Sequence, residues 1–152
     1  MTPARVGLAD LIAEGSLERV TVDAETCSHL MTQARNHLRT AAAGLQIVDT
    51  EGAFQLAYDA CRKACLGLIL AMGLRPRGEA HHAVTFKAAA AIAHTFGGHQ
   101  IVNDASHLRF IRHGAEYRAE TVSLEDAQDA IDTGTELIDL LEPKIQQILT
   151  NS

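Results

Sequence analysis

From Val22 to Gln46 the apolar residues Cys27, Leu30, Ala34, Leu38, Ala41 and Leu45 recur every three or four positions, and Asp23 stands where an N-cap belongs. That period is one face of an amphipathic helix. A second helix is predicted from Asp49 onward. Phe54, Ala57, Cys61, Cys65, Leu68 and Met72 form its stripe, while Gln55, Asp59, Arg62 and Lys63 lie on its other side. Its last two turns are apolar nearly all round, which marks that end as the deepest part of the core. Pro76 and Gly78 then break the helix, and an Ala-rich third helix runs from about His81 to Phe96, closed by Gly97 and Gly98. A fourth is predicted from about Ile101 to Arg112 or a few residues beyond.

The fifth helix has the clearest pattern. Ser123 with Asp126 makes a start of capping-box type, and Leu124, Ala127, Ile131, Gly134, Ile138, Leu141, Ile145 and Ile148 step by three and four. Pro143 has no amide for the bond to Asp139, so a kink or restart is expected there. A short helix is predicted near residues 5–15. No alternating strand pattern, internal repeat or low-complexity linker interrupts the series. The expected fold is therefore all-α, an antiparallel up-and-down bundle of four to five helices, with one domain over residues 1–152 and the bundle over about 22–150. The long seam of the last helix also suits a homodimer, although burial inside one bundle explains it equally well.

Composition supports helices over a sandwich of strands: 47% of the 152 residues are apolar but only 4% are aromatic, with no Trp, so Ala, Leu, Ile and Val must fill the interior. The net charge of −6 excludes a broad nucleic-acid coat, which needs an extended basic surface, but leaves room for a local basic pocket. No segment has the apolar length of a signal peptide core or a membrane span, so the expectation is a cytoplasmic protein without membrane contact. Cys27, Cys61 and Cys65 are odd in number. The last two share an apolar helix face, where reduced thiols pack as small hydrophobes.

One stretch departs from this background. "RFIRHGAEYR", Arg109 to Arg118, gathers four basic side chains, an acid and a tyrosine. Helical spacing puts Arg109, Arg112, His113 and Glu116 on one face, with Tyr117 one turn after His113. Gly114 offers a stopping point for the helix, in which case that face ends at His113. The plain alternative is a set of surface ion pairs worth less than about 1 kcal/mol each. A second group lies in the loop before the third helix, where His81 and His82 adjoin helix N-terminal amides that favour anions; solvent-exposed loop histidines are the plain alternative there. His94 with His99, and His107 with His113, lack metal-ligand spacing, and no Cys-x-x-Cys or His-Glu-x-x-His occurs, so neither a metal nor another cofactor is expected.

The segments "AYDACRKACLGLILAMGLRPRGEAHHAV" and "RHGAEY" together resemble the HEPN superfamily of helical-bundle domains, in particular a bacterial subgroup with an "A-x-D-A-x-R-K-A … G-L-R-P … G-H-H" helix-loop and a late "R-N-x-A-E-Y". The resemblance covers roughly Leu8 to Leu149. It implies a helical bundle that usually dimerises, with a site near the dimer seam. In active members that site cuts RNA without a metal, and such proteins act as toxins held by nucleotidyltransferase-like antitoxin partners or in phage defence; other members bind nucleotides or partner proteins without catalysis.

Mapped on the family's pattern of Arg, a polar residue and a later His, Arg112 takes the place of the Arg and His113 that of the polar residue. Tyr117 stands where the His belongs, and with a pKa of about 10 a tyrosine accepts a proton poorly at neutral pH. The resemblance thus implies Arg112, His113 and Tyr117 as the catalytic candidates; helical spacing adds Arg109 and Glu116, and the helix N-terminus His81 and His82, as substrate-binding candidates. The resemblance leaves three functions open: a metal-independent endoribonuclease, a catalytically worn binder of RNA or nucleotides, and an inactive interaction module or accessory subunit.

Overall fold

The computed structural model describes residues 7–151, apart from the side chain of Glu116. Among these residues are six α-helices: α1 (Leu8–Ala13), α2 (Ala24–Gln46), α3 (Thr50–Ala71), α4 (His81–Ala93), α5 (His99–Tyr117) and α6 (Leu124–Thr150). Residues 5 and 6 of the predicted N-terminal helix lie outside the described part. The expected all-α bundle is present, with one addition. Leu17–Arg19 (β1) and Leu74–Pro76 (β2) pair antiparallel, in the register Leu17 to Pro76, Glu18 to Arg75 and Arg19 to Leu74.

The predicted caps hold the long helices at their starts. Asp23 accepts hydrogen bonds from the Glu25 and Thr26 amides at 3.1 and 3.3 Å, and from the Thr26 hydroxyl at 2.8 Å. Asp49 accepts from the Gly52 amide at 2.9 Å, and the Ser123 hydroxyl accepts from the Asp126 amide at 2.9 Å. Each satisfies an amide that has no partner inside its own helix. Residues 47–49 alone link α2 to α3, a length that folds the two into a hairpin.

Helix α3 is the hub, in contact with α2, α4, α5 and α6. Its C-terminal half is buried as its pattern predicts: Ala64, Cys65, Gly67, Leu68, Ile69 and Ala71 are all in the core, whereas Met72 at the very end is exposed. From α6 come Ala127, Ile131, Leu137, Ile138, Leu141 and Ile145, and from α2 Cys27, Met31, Ala34, Leu38 and Ala41. The first residue of the α6 stripe, Leu124, is exposed instead. Gly134 marks a close approach, since a Cβ there would stand 2.8 Å from Leu38 Cδ2.

All three cysteines are buried free thiols, and burial pushes the Cys61 thiol up to about 12, which leaves it protonated and inert. Helix α6 runs unbroken through Pro143, so the missing bond to Asp139 does not restart it. Helix α5 likewise continues past Gly114. It ends at Tyr117, where the Arg118 and Glu120 amides both donate to the Gly114 carbonyl. Among the described residues no helix is long and apolar enough to cross a membrane.

Candidate functional site

The site is built on the N-terminal half of α3. Tyr58 lies one turn after Phe54, so its ring points into the core, and it is fully buried. A buried phenol needs a hydrogen-bond partner, and α4 supplies it: the Tyr58 hydroxyl lies 3.2 Å from His82 Nδ1. The Tyr58 ring centroid is 5.9 Å from that of Phe86 and 6.1 Å from that of His82. From α5 the guanidinium of Arg112 stands 5.4 Å from the same ring centroid, within cation–π range. Three helices therefore meet at one aromatic ring.

Electrostatics fix the protonation states. Burial pushes the Tyr58 phenol up to about 12, against the opposing charges of Arg112, Arg109 and Arg62, so the hydroxyl keeps its proton. His82 is held below the ordinary histidine value of 6.5, first by burial and then by the charges of Arg62, Arg112 and His81. In the tautomer whose Nδ1 accepts the phenol hydrogen, His82 Nε2 carries the ring hydrogen as a donor.

Arg62 follows Tyr58 by one helical turn. Its Nε is shut off from solvent and has no hydrogen-bond acceptor among the described residues, and its ion pair to Asp59 is long, at 4.0 Å. Arg62 and His82 both border a cavity of about 350 Å³, together with His81, Arg75 and Thr85 and the apolar Leu66, Leu70 and Pro76. Its size is at the lower end for a small-molecule site. Helix α4 begins beside it at His81 with no side chain capping its first amides, an arrangement that favours an anion. Arg75 is already ion-paired to Glu18, which also holds Arg77 at 3.2 Å. On its other side Arg112 borders a cavity of about 390 Å³ whose lining includes Asp49 and Glu51, and those acids make it a poor place for an anion.

The residues singled out in the sequence separate into two groups. Arg112 and His82 come together at Tyr58. Arg109 is half-buried, with its guanidinium 5.6 Å from the Phe110 ring centroid, near enough for its charge to act on Tyr58. His81 is exposed beside His82, at 6.5 Å between ring centroids. His113 and Tyr117, in contrast, lie on the exposed face of α5, where their rings approach to 4.8 Å and Tyr117 is 71% exposed. The side chain of Glu116 lies outside the described residues.

Tyr58 and Arg62 were not among the candidates. A tyrosine inside an otherwise aliphatic core stripe, with an arginine four residues on, was the signal for them, because both polar ends must find partners. Around the 350 Å³ cavity the Arg62 guanidinium, the His82 ring and an uncapped helix start can bind a phosphate, with the charge of Arg112 behind the Tyr58 ring. Among the described residues no group of three or more His, Cys, Asp or Glu side chains could hold a metal ion. No curated protein and no solved structure matches the chain. The HEPN domain does match, over residues 27–144, which is more than half of the chain, and the protein belongs to that family.

Proposed function

We propose that this HEPN protein binds RNA or a nucleotide through phosphate groups at Arg62 and His82, with Arg112 contributing its charge from across the Tyr58 ring, and that it holds its ligand without cleaving it. The observation that carries this reading is the convergence on Tyr58: its hydroxyl orients His82, its ring faces Arg112, and Arg62 lies one turn away beside an open cavity. Metal-free RNA cleavage needs a group that takes the 2′-hydroxyl proton. His82, in the tautomer that accepts from Tyr58, is a donor, and Tyr117 lies on the outer face of α5.

The test is fluorescence anisotropy of a 5′-labelled oligoribonucleotide, and thermal shift with ATP and GTP, both in the presence of a metal chelator. Arg62→Ala should weaken binding by about tenfold or more, the usual loss for a charge-assisted phosphate contact, Arg112→Ala should weaken it less, and the RNA should stay intact on a gel. Unchanged affinity in both variants removes the site from the reading. Cleavage abolished by Arg112→Ala and by His113→Ala assigns the nuclease function instead, with the toxin or phage-defence role and the nucleotidyltransferase-like partner that accompany it in the family.

A specific observation favours a second reading, an interaction module that pairs with a second copy. Phe110 and Tyr117, seven residues apart on α5, are 64% and 71% exposed and leave an aromatic face open to solvent. A dimer in sedimentation that Phe110→Asp converts to monomers would support it.

A further inference from the structure

A cavity of about 570 Å³ lies away from the arginine cluster, between the end of α2 and the start of α6. Leu45 and Leu124 give it an apolar floor, and Glu125 and Asp129 give it an acidic rim. The apolar surface extends beyond the cavity. Ile47 and Val48, in the α2–α3 turn that follows Leu45, are 78% and 77% exposed, and Leu124 is 59% exposed. The Thr50 hydroxyl donates to the Val122 carbonyl at 2.8 Å, which ties the start of α3 beside this turn to the segment leading into α6.

Val48 ends α2 in the left-handed position, where the Asp49 amide donates to the Gly44 carbonyl at 2.9 Å, and Ile47 and Val48 are apolar at a turn where polar residues are usual. Val48 sits at φ +60°, a left-handed conformation that a β-branched residue rarely takes and that Gly or Asn would fill without strain. Glu125 and Asp129 make no ion pair among the described residues, although ion pairs form elsewhere on the surface, as between Arg35 and Glu142 at 2.8 Å.

We propose that this groove docks a short cationic amphipathic helix from another protein, with aliphatic side chains seated on Leu45, Ile47, Val48 and Leu124, and Lys or Arg flanking them to meet Glu125 and Asp129. Charge selects this occupant. Glu125 and Asp129 carry two negative charges with no ion-pair partner among the described residues, and an occupant that brings cations satisfies them. RNA and anionic membrane surfaces are repelled by them. A helix with an apolar stripe and basic flanks satisfies the floor and the rim together, in the groove-binding manner of many regulatory segments.

The experiment uses the full chain and a synthetic probe. In amide chemical-shift mapping, a Leu/Lys amphipathic peptide of roughly fourteen residues, or four turns, should first move the resonances of residues 45–48 and 124–129. The double variant Glu125→Lys/Asp129→Lys should weaken its affinity by about tenfold or more, as loss of two charge pairs does. The same pattern with Glu in place of Lys should leave those resonances where they are. Shifts centred elsewhere, or an affinity that ignores the charge reversal, would overturn the proposal. So would a peptide-free dimer in sedimentation that Leu124→Asp splits, because the occupant would then be a second copy. Phosphate-ligand binding at Arg62 and His82 is read separately, so the two proposals stand or fall independently.

Discussion

The two halves of α3 share one helical period and meet different surroundings. From Ala64 to Ala71 the helix packs among aliphatic side chains and buried thiols, with Met31 of α2 and Ile145 of α6 closing on Gly67. From Phe54 to Arg62 it packs on Gly134 of α6 on one side and meets α4 and α5 on the other, and there a phenol, an imidazole and two guanidiniums are brought in with the apolar groups. The first environment gains from every apolar area it removes from water. The second must satisfy each polar atom it encloses, and Arg62 Nε is one it leaves unmatched. Both halves bury apolar side chains, and the N-terminal half also encloses the polar cluster proposed to bind phosphate.

Substitutions test that division, starting with the largest effect. Leu68→Ala empties a fully buried position; it should cost about 2–5 kcal/mol, read as a lower urea midpoint with unchanged slope. Gly134→Val forces a side chain against Leu38 and Cys61 and should cost about 1–3 kcal/mol in the same assay. Ligand affinity per folded molecule should hold in both. Tyr58→Phe keeps the ring and deletes the hydroxyl, so it should cost only about 1 kcal/mol. It should also raise the pH at which the His82 ring protons titrate by NMR, because the neutral imidazole loses the donor that favours it. A Tyr58→Phe variant that lost as much stability as Leu68→Ala would end the distinction between the two halves.

The smallest effect is a pH dependence. His82 and His37 are both held below 6.5 by burial first, and by nearby cations next, Arg62 and Arg112 for His82 and Lys63 for His37. Below pH 6.5 the unfolded chain takes up protons at these residues before the folded one does. Their contribution is therefore complete above that pH and is lost as the pH falls toward the folded values. Thermal melts of His82→Gln should show a shallower decline between pH 7 and 5 than the parent protein.

Periodicity made the long helices legible because a stripe of three-and-four steps survives local exceptions such as the exposed Leu124 or Met72. The strand pair was not legible, since three residues per strand are too few to show alternation. In the site, Arg112 and His82 stood out by type, but their convergence depends on how α4 and α5 pack against α3, which no single segment encodes. His113 is adjacent to Arg112 in the chain and yet turns to the outer face, because neighbouring helical positions diverge by about 100°.

The pairing of β1 with β2 reaches further than its size suggests. The family match begins at residue 27, after β1, yet Leu17–Arg19 is zipped to Leu74–Pro76 just ahead of the imidazole-bearing helix, the Arg77 amide donates to the Ser16 carbonyl at 2.8 Å, and Leu11 of α1 is buried in the common core. A fragment trimmed to the matched segment would expose the edge of β2 and release the Leu74–Pro76 segment that leads into His81 and His82. Residues 7–20 act as a clasp on that segment, and removing them would loosen the proposed phosphate pocket while most of the bundle stayed folded.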